Sequence, residues 1–173
     1  MNFIGKSSGK LIRNKEELLL IRKINENVTM VPGAFDLPHI GHRRFLEKAG
    51  DIARKTDQIQ EGVRSLLILL LSSDEFIEER KGKKPVRNEK TRIRRMKRNK
   101  HIDHIFIINN VEEFYEIIDL FSPDTLVLSH TTNDTQTNAE TMTKLFRDTI
   151  KEIIILEAQS SIHSSDIRRR KNL

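Results

Sequence analysis

Between Leu66 and Leu71 the chain runs LLILLL, six large aliphatic residues with no polar residue among them. A strand wet on one face would alternate apolar with polar. An unbroken run predicts a strand covered on both faces, as in a parallel sheet flanked by helices. The run is far shorter than the ~20 residues needed to cross a bilayer. Four other short segments read as strands: VTMV at 28–31, HIDHIFII at 101–108, DTLVLS at 124–129 and EIIILE at 152–157. Between them the apolar residues recur at helical spacing. Phe45, Leu46, Ala49, Ile52 and Ala53 mark one helix; Val111, Phe114, Ile118 and Phe121 mark a second, stopped by Pro123. Ala139, Met142, Leu145 and Phe146 mark a third, EELLLIRKIN at 16–25 an N-terminal one, and SSDIRRRKN a short C-terminal one. This alternation predicts an α/β fold, a doubly wound parallel sheet of about five strands with right-handed crossovers. A length of 173 residues suits one domain. We expect an N-terminal extension and helix over 1–26 and the domain proper over 27–173.

Composition narrows the chemistry. There is no cysteine, which excludes disulfides and thiolate metal sites and fits a reducing compartment. No apolar stretch has signal-peptide length, so a soluble cytoplasmic protein without membrane contact is expected. The net charge of +6 is unevenly placed. From Arg80 to Lys100 there are twelve Lys/Arg and one Glu, a local +11, so the remainder carries −5. Such a patch suits an anionic partner, or is a solvated helix face.

In a doubly wound sheet, ligands bind beyond the carboxyl ends of the strands. The segment GAFDLPHIGH, residues 33–42, sits at such an end, after VTMV and before a helix expected to start near Ile40 or Gly41. Gly33 and Gly41 allow close approach of the backbone to a ligand, or a positive φ. Pro38 biases Leu37 away from helix. The new helix offers N–H groups and a dipole to an anion. His39 and His42 lie at that point and can donate hydrogen bonds to a phosphate in transfer. Surface polar groups, or a metal pair, are the other readings. No neighbouring carboxylate or histidine clearly completes a metal set.

GAFDLPHIGHRRFLEKA resembles the G-x-F-D-x-x-H-x-G-H signature of the nucleotidyltransferase superfamily. IHSSDIRRR, residues 162–170, is similar to the family's second motif, with His163 departing from the usual Ser. SSDEFIEERKGKKPVRNEKTRIRRMKRNKHIDHIF resembles the segment between the two. The glycerol-3-phosphate cytidylyltransferases and the adenylyltransferase domain that forms ADP-heptose are the most similar branches, and the likeness runs from about residue 9. It implies a Rossmann-like fold and transfer of a nucleotidyl group from ATP or CTP to a phosphorylated sugar or polyol, with pyrophosphate released and Mg²⁺ as cofactor.

By position the resemblance implies His39, His42, Lys81 and Lys83 as catalytic residues. It implies Gly33, Ala34, Phe35, Gly41, Arg92, Ser129, His130, Ser164, Ser165 and Arg168 around the nucleotide, with no protein metal ligand. Ser129-His130 keeps only the His of a family Gly-His, and EAQSS stands where the cytidylyltransferases have an arginine. Partners would be a nucleoside triphosphate and a phosphorylated small molecule; nucleic acid is not expected, and similar enzymes are commonly homodimers. Nicotinate- or nicotinamide-mononucleotide and pantetheine-phosphate adenylyltransferases share the first motif and are rivals, though the lysine pair before Pro85 weighs against them. A catalytically silent nucleotide or nucleic-acid binder is a rival of another class. The GKSSGK at 5–10 lacks the spacing and the Ser/Thr of a P-loop. The letters HIGH also occur in class I aminoacyl-tRNA synthetases, whose K-M-S-K-S loop is absent here.

Overall fold

A computed structural model describes residues 9–24, 27–59, 65–130 and 138–157. The elements run β1 (Lys10–Leu11), α1 (Lys15–Ile24), β2 (Asn27–Gly33), α2 (Ile40–Ile59), β3 (Ser65–Ser72) and α3 (Asp74–Lys81). They continue with α4 (Glu89–Met96), β4 (His104–Ile108), α5 (Val111–Phe121), β5 (Thr125–Ser129), α6 (Ala139–Phe146) and β6 (Glu152–Leu156).

The all-apolar run takes the position its composition demands. All eight residues of β3 are buried, and the strand pairs in parallel with β2 on one side and β4 on the other. The six strands lie in the order β1-β4-β3-β2-β5-β6, and every pairing is parallel. Two cores sandwich them. Leu18 and Ile21 of α1, Phe114, Ile117 and Ile118 of α5 and Met142 of α6 cover one face. Phe45, Leu46 and Ala49 of α2 and Met96 of α4 cover the other. The doubly wound α/β fold expected from the alternation is the fold observed.

The sheet has six strands rather than about five. The extra one is β1, two residues paired with His104 and Ile105 at the edge of β4. A two-residue strand carries no periodicity to detect; its pairing is set by where α1 packs. The segment SSDEF, residues 72–76, runs from the end of β3 into α3: Ser73 caps the helix by accepting the Phe76 N–H, and Gly82 ends it at φ 65°. Only Phe76 and Ile77 of α3 are buried, so its helical period is invisible in the sequence. The proposed C-terminal helix lies outside the described residues.

At the amino end of the sheet, Asp124 ties three elements together. Its buried carboxylate accepts the Val28 N–H, Arg22 of α1 and Lys151 before β6. Burial opposes its ionisation, but the Lys151 ammonium, the Val28 N–H and the Arg22 guanidinium outweigh that and hold its pKa below the usual carboxylate value. A depressed folded pKa stabilises above the unfolded value near ~3.9, and that stability is lost as pH falls through the folded pKa. Asp124→Asn should cost on the order of 2 kcal/mol at pH 7. Urea midpoints of the two proteins should converge as the pH is lowered below 4; a gap that stayed constant down to pH 2 would contradict this role.

Candidate active site at the carboxyl end of the sheet

The chain switches direction between β2 and β5: from β2 it proceeds to β3 on one side, while β5 and β6 lie on the other. The β2–β5 ladder holds only Thr29–Thr125 and Met30–Leu126, whereas β2 stays paired with β3 as far as Gly33–Leu71. Pro32, with no N–H to give, lies two residues past the last β2–β5 pair. Beyond Met30–Leu126 the carboxyl ends of β2 and β5 form the switch point, the place where doubly wound folds bind ligands.

The chain leaves β2 through a strained turn. Phe35 is buried yet sits at φ 47°, a left-handed conformation that costs a residue with a Cβ about 1–2 kcal/mol. Its ring lies over Gly33, where an added Cβ would come within 2.4 Å of Cε2. Gly33 is therefore required by the phenylalanine two residues on. The Phe35 ring also rests against His42, centroid to centroid 5.3 Å.

The two histidines are brought together, with ring centroids 4.1 Å apart. Helix α2 begins at Ile40, as expected, and His39 caps it. The His39 carbonyl accepts the Arg43 N–H, and its Nδ1 accepts the Gly41 N–H at 3.1 Å. His42 Nδ1 in turn accepts the His39 N–H at 3.3 Å. With both Nδ1 atoms accepting backbone protons, the network assigns the ring proton to Nε2 in each. His42 is pushed down to about 4, first by burial, then by repulsion from the charge His39 takes on when protonated and from Lys81. At neutral pH it is an uncharged Nε2–H donor, with no need to titrate before meeting an anion.

Lys81 ends α3 and is close enough to act on His42 electrostatically. Lys83 is exposed on the following loop. Arg92, which the resemblance puts near the nucleotide, is fully buried. Its guanidinium donates to the carbonyls of Ala34 (2.9 Å), Ser72 (2.6 Å) and Arg87 (3.1 Å) and to Asp74 Oδ1 (2.7 Å). Two acidic residues that sequence reasoning did not single out complete this group. Asp36 accepts the Val86 and Arg87 N–H groups, and Asp74 Oδ2 accepts that of Glu89. Asp36 belongs to the F-D pair of the motif, so its presence was visible; its partners, 50 residues away, were not.

Ser129 ends β5, and the His130 N–H donates to the Leu156 carbonyl across the β5–β6 pair. Ser129 thus lies at the carboxyl end of β5, the strand beside β2, and His130 follows it. Ser164, Ser165 and Arg168 lie outside the described residues. Among the described residues no group of three or more His, Cys, Asp or Glu could hold a metal ion, and no helix is long and apolar enough to cross a membrane.

Residues 30–170 match the family model described as cytidylyltransferase-like. A bifunctional protein HldE of Campylobacter jejuni is 32% identical over 128 residues, covering 73% of this chain and 25% of that protein. An FAD synthase of Thermococcus sibiricus is 28% identical over 96 residues, covering 56% of this chain and 57% of that protein. The chain thus spans about a quarter of the HldE protein it matches. Among solved structures, a pantoate-beta-alanine ligase from Francisella tularensis superposes with a TM-score of 0.63 at 14% identity, covering 95% of this chain and 73% of that one. A lipopolysaccharide core biosynthesis protein from Thermoplasma volcanium superposes with a TM-score of 0.54 at 20% identity, covering 79% of this chain and 98% of that one. At these identities the structural likeness speaks for the fold alone.

Proposed function

The chain belongs to the cytidylyltransferase-like family; on that premise we propose that it is a nucleotidyltransferase, transferring a nucleotidyl group from ATP or CTP to the phosphate of a small sugar or polyol phosphate. The observation that carries the reading is the histidine pair: two imidazoles 4.1 Å apart at the switch point, each with Nδ1 accepting a backbone N–H, so that the His42 ring proton lies on Nε2.

An oxygen of the acceptor phosphate attacks the α-phosphorus in line. The bond from that phosphorus to the β-phosphate oxygen breaks, and pyrophosphate leaves with the electron pair. The acceptor is already ionised, so no general base is required. His39 and His42 donate to the α-phosphate oxygens as negative charge builds on them. Lys81, with Lys83 on the adjoining loop, neutralises the triphosphate or the acceptor. Gly33, Phe35 and Gly41 let the backbone approach the nucleotide, and Ser129 and His130 face it from β5. Ser164, Ser165 and Arg168 hold the departing pyrophosphate. A Mg²⁺ ion accompanying the triphosphate would supply charge neutralisation at its phosphates, held by the substrate rather than by a cluster of protein ligands among the described residues. The Asp36 carboxylate, the acidic group nearest the histidines in sequence, already has both oxygens occupied by backbone N–H groups.

Pyrophosphate release should be measured with ATP and with CTP against a panel of phosphorylated sugars and polyols, with mononucleotide and phosphopantetheine acceptors as the competing set. Release with a sugar or polyol phosphate is the expected result. Release only with the competing set would move the acceptor class. No release with any pair would leave a nucleotide binder without turnover.

A further inference from the structure

We infer that Asp36 and Arg92 are positioning residues, a clasp that fixes the far end of the lysine-bearing loop to the histidine loop. The loop between α3 and α4 carries Lys83 and Lys84, with Lys81 at its start. Its two ends are built differently. At Gly82 the backbone takes φ 65°, and a Cβ there would meet nothing within 4 Å, so the chain has room to turn. At the other end the backbone of Arg87 is held on both sides. Its N–H donates to Asp36 Oδ1 at 2.8 Å, and its carbonyl accepts from Arg92 Nε at 3.1 Å. The Val86 N–H donates to Asp36 Oδ2 at 3.1 Å. Two successive N–H groups facing one carboxylate form a small anion-binding concavity, filled here by the protein itself.

The holders also belong to the histidine loop or grip it. Asp36 lies three residues before His39 and is 5% exposed. Arg92, 0% exposed, grips the carbonyls of Ala34 and Ser72, the ends of the turn after β2 and of β3. Asp74 completes the frame, taking Arg92 on one oxygen and the Glu89 N–H on the other. Any movement of Lys83 and Lys84 is therefore a swing about Gly82, with Val86 and Arg87 fixed relative to His39 and His42. A loop free at both ends would search a far larger space before a lysine met a phosphate. The catalytic consequence rests on the reaction proposed above; the clasp does not.

Amide hydrogen exchange on the unsubstituted protein tests the clasp directly. The Val86 and Arg87 amides should exchange at least a hundredfold more slowly than those of Lys83 and Lys84. In Asp36→Asn, one oxygen becomes an NH2 group facing an N–H donor, which opens that side. Trypsin should then cut after Lys81 and Lys83 about tenfold faster than in the unsubstituted protein, well below the unfolding temperature. With a working substrate pair, KM for the triphosphate should rise and kcat/KM fall roughly tenfold or more, as expected for misplaced binding groups. Val86 and Arg87 amides that exchange as fast as those of Lys83 and Lys84 would overturn the clasp, whether or not Asp36→Asn folds. So would a folded Asp36→Asn protein cut at the unsubstituted rate. If no pair gives turnover, the exchange and cleavage results still decide the clasp, and only the proposed reaction falls.

Discussion

His42→Ala is expected to lower kcat roughly 10²- to 10³-fold, the loss typical of removing one preorganised donor from a developing anion. The triphosphate KM should change far less, because the donor acts most strongly where charge builds on the α-phosphate oxygens. His42 is neutral above a pKa of about 4, so lowering the pH from 8 to 6 should not restore the variant or change the unsubstituted rate through this residue. Initial rates of pyrophosphate release with a productive pair provide the measurement. A kcat within threefold of the unsubstituted enzyme would remove His42 from the reaction. His39 makes a less clean probe, because its Nδ1 also caps α2 by accepting the Gly41 N–H. Its alanine variant mixes a loss of charge stabilisation with a shift of the helix start.

Arg92→Met is expected to destabilise the fold by about 3–5 kcal/mol, the range seen when one partner of a buried charged pair is removed. The reason is what stays behind. Three carbonyls, of Ala34, Ser72 and Arg87, would lose a donor, and Asp74 would lose its cation. A chain of this length shifts its melting temperature by about 2–4 °C per kcal/mol, so a fall on the order of 10 °C should appear. Arg92→Lys should recover only part of it, because a single ammonium cannot reproduce a planar fork that serves four acceptors. Denaturant midpoints for both variants decide the matter; a loss below 1 kcal/mol for Arg92→Met would show that the network bears little weight. Much of this expected loss comes from leaving polar groups buried without partners, rather than from the net value of the pair.

Arg92 also marks the boundary of what motif reasoning reaches. The resemblance put it on the substrate side by its position in the chain. In the structure the side chain turns inward and joins β2, β3, α3 and the loop before α4. A charged residue in a stretch of twelve Lys/Arg gives no sign of which cation is buried. Burial depends on which carbonyls and carboxylates the fold collects around it. Arg94 and Arg95 on α4, and Arg98 in the turn after it, remain exposed, the solvated face that composition allowed for. His39 and His42 were legible because helical start signals and a glycine-bearing turn are local, and three residues at the head of a helix bring two rings within reach.

The sequence by itself determined the layer architecture and the end of the sheet at which the two histidines lie. The unbroken LLILLL run could be satisfied only between two helical layers. The alternation of strand and helix forced parallel pairing, and a glycine-bearing turn after the second strand placed both histidines at its carboxyl end. Such features are set by period and local backbone preference, which a linear pattern records. The tertiary structure alone decided the sixth strand, the parting of β2 from β5 after Met30 and the Asp36–Arg92 clasp. Each depends on hydrogen-bond partners far apart in the chain, such as Asp36 and Arg87 at a separation of 51 residues. No local spacing encodes such a pairing; it exists only once the folded chain has brought the two donors to the one buried carboxylate.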